Sequence, residues 1–476
     1  MAFEQMMVAL LFVVVAFRAF LSPAQNDTYW TLRAGADIWR TGHVPLADTY
    51  SYTVTGQPWP DHEWLWQAFV YGLHRLGGMP LVTLGAGALI LLAMALAYRL
   101  TIGPATTRFV VAAIGICLVS CVWALRPQVV TLLAVTLLAT LLVRERFWPI
   151  PLLFLAWANA HGGVSLGGLV LLAATAAALL RWYRSRSAAD ARRARALAIV
   201  LPLAGLATCA TPLGIHIFRF VWDSTARLYA AHITEWRPTL PFDLVGALFW
   251  LGALAFLSVL LWRRRALPEA PWSTWAVTAG ALVLLPPAFR SIRNYAPFAM
   301  LAIPATSHLL GADFRFRLPG RRRERPPSPD HPRLNLALFS LFALPAAGLV
   351  AAAYATAYPW LDWRPLPAAA IAAVRSCDGP LFNHYDDGGA LIWFVPERPV
   401  FVDSRQDPYP LPFLLQGIRV ERGEQPYQPL FARWGIRCAL LRPSSKLGAR
   451  LRADGWRPRF TDERWAVIAA PGAAPR

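Results

Sequence analysis

The stretch Asn26–Gly78 reads NDTYWTLRAGADIWRTGHVPLADTYSYTVTGQPWPDHEWLWQAFVYGLHRLGG. It is a long polar segment set between apolar runs, which places it just outside a membrane. It gathers Asp27, Asp37, Asp48, Asp61 and Glu63, the histidines His43, His62 and His74, and five tryptophans, Trp30, Trp39, Trp59, Trp64 and Trp66. Tryptophan and tyrosine favour the boundary between lipid and water, where an amphipathic ring meets both phases. The pattern predicts a short helix after Asp27, beginning at Thr28 and ending near Gly42, and a second after Asp61, ending near Gly77. Both are expected to lie flat on the bilayer and roof a cavity, with acids at their N-terminal ends.

Working outward, the whole chain has 476 residues, of which 56% are hydrophobic, and a mean hydropathy of +0.41. That is too apolar for a soluble domain and fits a protein that crosses the membrane many times. The net charge is +19. A basic chain often binds nucleic acid, but here the arginines sit in short loops between apolar runs. That arrangement sets orientation by the positive-inside rule and excludes nucleic acid as the partner. The bases are arginines with the single exception of Lys446. Together with the abundance of alanine this suggests a GC-rich genome.

A spanning helix needs about 20 mostly apolar residues. The expected spans are 5–23, 79–98, 108–125, 128–143, 147–160, 163–181, 196–212, 244–262, 272–289, 294–311 and 335–357, about eleven in all. With the N-terminus inside, the arginine loops 99–108, 144–146, 181–195, 263–265 and 315–333 all face the cytoplasm. Removing 147–160 would place the 181–195 cluster outside, against the rule. Residues 7–22 could pass for a signal peptide. They lack a basic leader and contain Arg18, so they read as an uncleaved first helix. The domains expected are a membrane domain 1–357 that includes the first outer loop 24–78, a basic Pro- and Arg-rich cytoplasmic linker 313–333 touching anionic headgroups, and an outer domain 358–476.

That last region has the character of a small α/β domain. PLFNHY, PVFVDS, RCALLR and RWAVIAA read as short buried strands, and PFLLQGIRV, YQPLFARWG and KLGARLRADGW as helices, which predicts a largely parallel sheet. Cys377 and Cys438 both fall here, and an extracytoplasmic position would permit a disulfide between them. Cys117, Cys121 and Cys209 lie in apolar runs.

Four outer features carry candidate chemistry. Asp27 directly follows the first span and can act as general base for an acceptor, or simply cap the next helix. Asp61-His62-Glu63 can bind a polar substrate or tune its own protonation, or cap the second helix. Asn159-Ala160-His161-Gly162-Gly163 is a polar break between spans, either lining a cavity or allowing a tight turn. Arg290 and Arg293 lie on the face that the positive-inside rule disfavours, together with Arg126. Guanidinium forks suit phosphate oxygens, and snorkelling is the alternative. The chain has no GxGxxG, Walker A, HExxH or GxSxG pattern, so cytoplasmic nucleotide chemistry lacks support.

These features together resemble the GT-C glycosyltransferases: an Asp soon after the first span, two interfacial helices in a long first outer loop, about a dozen spans and a C-terminal α/β domain. The stretch His384-Tyr385-Asp386-Asp387-Gly388-Gly389, followed by LIWFVPERPVFVD, is similar to the Trp-Trp-Asp-Tyr-Gly region of oligosaccharyltransferases. The resemblance implies a membrane enzyme using a polyprenyl-phosphate or -diphosphate sugar, with Asp27 as catalytic carboxylate. Glu63 and His62 are reserve catalytic residues. Arg293, Arg290 and Arg126 would hold the donor phosphate, and Asp61, His161, Asn159, Tyr385, Asp386 and Asp387 would line the acceptor side or cavity. The tandem Trp of the family is His384-Tyr385 here, and Arg126-Pro127-Gln128 lacks a DxD pair. Both departures weigh against peptide-sequon recognition and against a divalent metal, so no cofactor is expected. The expected partners are a lipid-linked sugar, membrane lipids and an extracytoplasmic acceptor, and the expected location is a bacterial inner membrane. The competing reading is a non-catalytic membrane protein that binds or moves a lipid-linked polymer.

Overall fold

The computed structural model describes residues 1–120, 123–226, 236–315 and 330–472. The expected linker 313–333 therefore lies largely outside the described residues, as does Cys121. The chain divides into two units. One comprises Met1–Ser22 and Thr83–Tyr358, the other Pro23–Val82 and Pro359–Arg476. The first outer loop thus groups with the C-terminal residues.

The first unit is helical. Its elements are α1 (Phe3–Phe20), the later part of α3 (Trp64–Arg99), α4 (Ala105–Ser120), α5 (Gln128–Val143), α6 (Ile150–Ala160), α7 (Val164–Ser185), α8 (Ala188–Thr208), α9 (His216–Ala226), α10 (Leu244–Arg263), α11 (Trp272–Arg290), α12 (Tyr295–Leu310) and α13 (Pro332–Ala355). Nearly all of α12 is buried, from Tyr295 to Leu310, and it packs against α4, α5, α10 and α11. It is the centre of this unit. By contrast α13 buries only Asn335 and packs on α1, leaving an apolar surface of the kind that lipid covers.

Among the described residues, six helices are long and apolar enough to cross a bilayer: α1, α3, α7, α10, α11 and α13. The other expected spans are helices as well, but shorter or more charged. The segment expected at 147–160 is the eleven-residue α6, about 16 Å long, roughly half of a hydrocarbon core.

In α3 the helix breaks at Gly77–Gly78, where Gly78 takes φ of +64°, a left-handed conformation that costs little without a side chain. The break separates the first-loop segment, which the sequence predicts to end near Gly77, from the apolar run that follows.

In the second unit, α2 (Asn26–Thr41) ends on Gly42 in the left-handed conformation, where the sequence places its end. The C-terminal part contains α14 (Ala368–Arg375), α15 (Gly388–Phe394), α16 (Leu411–Glu421), α17 (Gln428–Trp434) and α18 (Lys446–Ala453), with strands β1 (Leu381–Asn383), β2 (Cys438–Leu441), β3 (Arg457–Thr461) and β4 (Ala466–Ala469). The sheet order is β1-β2-β4-β3. Only β1 and β2 run parallel; β2–β4 and β3–β4 are antiparallel. The expectation of a largely parallel sheet is corrected, and for a physical reason. β4 follows β3 after a tight turn at 462–465, and such a hairpin is antiparallel.

PVFVDS is also not a strand of this sheet. Val400 instead forms an isolated parallel bridge to Ser51 of the first loop, with Tyr52 N–H donating to the Val400 carbonyl and Val400 N–H to the Tyr50 carbonyl. Cys377 and Cys438 are disulfide-bonded, with Cα atoms 6.0 Å apart.

Candidate active site

Within the second unit, Asp27 lies in the first turn of α2, which starts at Asn26 after Gln25. Asp27 is therefore not the helix cap, and the capping alternative does not describe it. Its Oδ1 instead accepts a hydrogen bond from Trp30 Nε1 at 3.2 Å and another from Ser404 Oγ. Ser404 Oγ also accepts from Trp30 Nε1 at 3.2 Å. The neighbouring Asn26 ties the same turn to the aromatic-acid stretch. Its Nδ2 donates to the Tyr385 carbonyl at 3.4 Å, and its Oδ1 accepts from Gly389 N–H at 2.8 Å. Side chains cannot occupy the positions of Gly388 and Gly389. A Cβ on Gly389 would come within 2.2 Å of the Asn26 carbonyl oxygen, and one on Gly388 within 2.2 Å of that of Val402. The glycine pair lets the turn pass between the first loop and the 402–404 segment.

Tyr385 completes this cluster. Its hydroxyl donates to the Ser404 carbonyl at 3.1 Å. Burial, and then the nearby Asp27 carboxylate, hold that phenol well above its ordinary range, so it stays a proton donor. Asp387 is buried and pairs with Arg442 at 2.8 Å. Burial raises it to about 7 against the pull of Arg442. Asp386 is exposed and its N–H donates to His384 Nδ1 at 3.1 Å; its side chain caps no helix.

Behind the site sits a buried ion network. Arg405 Nη2 donates to Asp48 and to Asp403 Oδ2 at 2.7 Å, while its Nε reaches Asp403 Oδ1 at 2.8 Å. Tyr409 donates to Asp403 Oδ2 at 2.7 Å. The guanidinium lies against the rings of Tyr50 and Trp59, at 4.8 and 4.7 Å. Arg405 is the residue after Ser404, so this network fixes the backbone that carries the hydroxyl against Asp27.

Asp61 is 2% exposed. Its Oδ1 accepts from Glu63 N–H at 3.2 Å and from Gln67 Nε2 at 2.7 Å, while its Oδ2 has no partner among the described residues. Burial pushes this carboxyl up to about 7, only partly offset by those two donors. His62 Nε2 lies 3.5 Å from Glu63 Oε1. The folded pKa of Asp61 is above the usual value of about 3.9, so the fold retains a proton there that the unfolded chain gives up. Its contribution is complete below about pH 4 and is lost as pH rises through about 7, on the order of 4 kcal/mol for this one group. Asp61→Asn keeps the Oδ1 acceptor and cannot ionise. The melting temperature of the full-length protein should therefore gain relative to wild type at pH 8 but not at pH 4. Parallel melting curves for the two proteins across that range would contradict the assignment.

In the first unit the structure brings His161 to Arg293, with Nε2 2.8 Å from Arg293 Nη2. On its other side His161 Nδ1 is 2.6 Å from Thr131 Oγ1, which also accepts from Trp157 Nε1 at 3.0 Å. A guanidinium can only donate, so Nε2 accepts from it. Arg293 also lies over the Trp236 ring at 5.2 Å. Asn159 is turned to backbone, donating to the carbonyls of Leu155 and Ala210. Arg290 is the exposed last residue of α11, and Arg126 is partly buried in the turn before α5.

Ser404 and Arg405 were not among the candidates read from the sequence. The run Asp403-Ser404-Arg405-Gln406-Asp407 straight after an apolar stretch was the available signal.

No family model and no curated protein matches the sequence. Solved structures do match the fold. The archaeal oligosaccharyltransferase AglB from Archaeoglobus fulgidus, in complex with an inhibitory peptide and a dolichol-phosphate, aligns with TM-score 0.58 and 10% identity over 90% of this chain and 68% of that one. The apo form of the Archaeoglobus fulgidus oligosaccharyltransferase aligns at TM-score 0.48 and 12% identity, over 91% and 69%. ArnT from Cupriavidus metallidurans in the apo state aligns at 0.48 and 13%, over 99% and 98%. The chain is a multi-span membrane protein. Its fold is similar to that of the archaeal oligosaccharyltransferase AglB, in line with the GT-C resemblance carried by its residues.

Proposed function

We propose that this protein transfers a sugar from a polyprenyl-phosphate or -diphosphate donor to an extracytoplasmic acceptor, with inversion at the anomeric carbon. The observation that carries the reading is Asp27, oriented by Ser404 and Trp30 in the first turn of α2, in a chain of this fold. The acceptor hydroxyl gives its proton to the Asp27 carboxylate, its oxygen bonds to the anomeric carbon, and the carbon–oxygen bond to phosphate breaks with the electron pair leaving on phosphate. Phosphate already carries negative charge, so the leaving group needs little protonation and one base is the minimum chemistry. Tyr385, Asp386 and Asp387 belong to the acceptor side. The N-terminus is cytoplasmic and the C-terminal region faces outward from a bacterial inner membrane. The arginine loops support this orientation, and so does the Cys377–Cys438 disulfide, since such bonds persist in oxidising compartments.

Arg293 is the donor-phosphate ligand, with Arg290 and Arg126 assisting. His161 accepts from one arm of its guanidinium and so orients it. A hydrogen bond between charged groups contributes about 1.5–3 kcal/mol, so Arg293→Ala should weaken binding of a polyprenyl phosphate roughly 10- to 100-fold. Arg293→Lys keeps the charge without the planar fork and should weaken it too. The check is native mass spectrometry of the detergent-solubilised protein titrated with the lipid phosphate, beside a transfer assay with a polyprenyl-phosphate sugar. Unchanged affinity in Arg293→Ala would remove Arg293 from the site.

A further inference from the structure

A second basic feature lies wholly within the second unit. An open groove of about 560 Å³ is lined by Arg33, Arg40, Arg75, Trp39, Tyr71 and Trp393, with Asp37 at its base. Three arginines against one aspartate leave a surplus of two positive charges. Asp37 is already saturated. It accepts from Arg33 Nε at 3.1 Å, from Arg40 Nη2 at 3.0 Å and from Tyr50 at 2.9 Å, and these donors hold it below the usual carboxylate range despite burial. It therefore cannot neutralise Arg75. Arg75 lies over the Trp39 ring at 5.5 Å and makes no hydrogen bond or ion pair among the described residues. Its five N–H donors face the groove or water.

The helix that supplies Tyr71 and Arg75 carries a second signal. Residues on an α-helix turn by about 100° each, so Leu65, Phe69 and Leu76 share one stripe, and Tyr71 and Arg75 another face about a third of a turn away. The stripe is unburied, with Leu76 81% and Phe69 43% exposed. Trp39, at the groove's rim, is 53% exposed. Past the break at Gly77–Gly78 the chain enters the apolar run beginning at Met79. A free guanidinium, an exposed tryptophan and an exposed apolar stripe side by side suit a ligand with an anionic head and an acyl tail.

We infer that this groove binds the phosphodiester headgroup of an anionic phospholipid, with Arg75 and Arg40 on the phosphate oxygens and the acyl chains along Leu65, Phe69 and Leu76. This inference does not depend on the proposed sugar transfer.

The test uses the full-length protein in detergent, with native mass spectrometry after addition of phosphatidylglycerol or phosphatidylcholine. Wild type should retain phosphatidylglycerol in preference to phosphatidylcholine, and millimolar inorganic phosphate should not displace it. Each basic residue near a lipid surface contributes roughly fivefold in affinity. Arg75→Gln should therefore lower retention about fivefold, and the double variant Arg40→Gln/Arg75→Gln further. Arg75→Lys should keep most of it, and Arg419→Gln, an exposed arginine on α16, should change nothing. Arg75→Lys and Arg419→Gln report whether the fold survives substitution. Equal retention of the two lipids by wild type, undiminished retention in Arg75→Gln, or displacement by inorganic phosphate would each overturn the inference.

Discussion

Asp27→Asn is expected to yield a protein that inserts, melts as wild type does and binds donor normally, yet transfers sugar 10²- to 10⁴-fold more slowly, the usual contribution of a well-placed base. The reasoning starts from what the substitution preserves. Asparagine retains an oxygen that can accept from Trp30 Nε1 and Ser404 Oγ, which orient Asp27. The helix start is also undisturbed, because Asp27 lies inside the first turn and Gln25 precedes the helix. What is lost is the ability to take a proton. A hydroxyl acceptor is a poor nucleophile until it is deprotonated, so the loss falls on the chemical step and on kcat rather than on donor affinity. The measurement is single-turnover transfer from a polyprenyl-phosphate sugar, with donor affinity determined separately. Near-normal transfer would strip Asp27 of the role and move the base to Glu63, which stands 9% exposed beside His62.

Arg405→Met is the substitution expected to cost most in stability. The guanidinium bridges Asp48 and Asp403, and both ion pairs join side chains with no exposure at all. Methionine fills part of the space against the Tyr50 and Trp59 rings but leaves two carboxylates buried without their cation. Removing one partner from such a network typically costs about 3–5 kcal/mol. A thermal or denaturant melt of the full-length protein should show a transition displaced accordingly. Transfer should fall as well, because Ser404 is carried by the backbone that Arg405 anchors. A melt indistinguishable from wild type would mean that Asp48 and Asp403 find other donors.

Much of this architecture could be read in the residues alone. Apolar runs set off by arginine loops specify membrane helices, since a spanning segment satisfies its backbone internally and hides its charge at the ends. The ends of the two first-loop helices, at Gly42 and Gly77, were equally legible. A glycine stop acts on its own turn and is written locally. The layout of Asp27 after the first span, and of the aromatic-acid turn at His384–Gly389, sufficed to place the chain near the GT-C fold.

Other features had no local signature. PVFVDS has the composition of a buried strand, yet only Val400 forms a bridge, and its partner is Ser51. Composition records burial but not which neighbour supplies the hydrogen bonds. The sheet's mixed direction depended on β3, a mostly exposed strand rich in arginine, whose side chains carry no apolar alternation. The partners that orient Asp27 and anchor Ser404 lie farther still. Ser404 is 377 residues from Asp27, and Arg405 is 357 from Asp48. Hydropathy, caps and turn residues act over a few positions and determine which segments become helices and where they stop. Which carboxylate meets which hydroxyl across several hundred residues is decided by the packing of one segment against another, and here only the tertiary structure determined it.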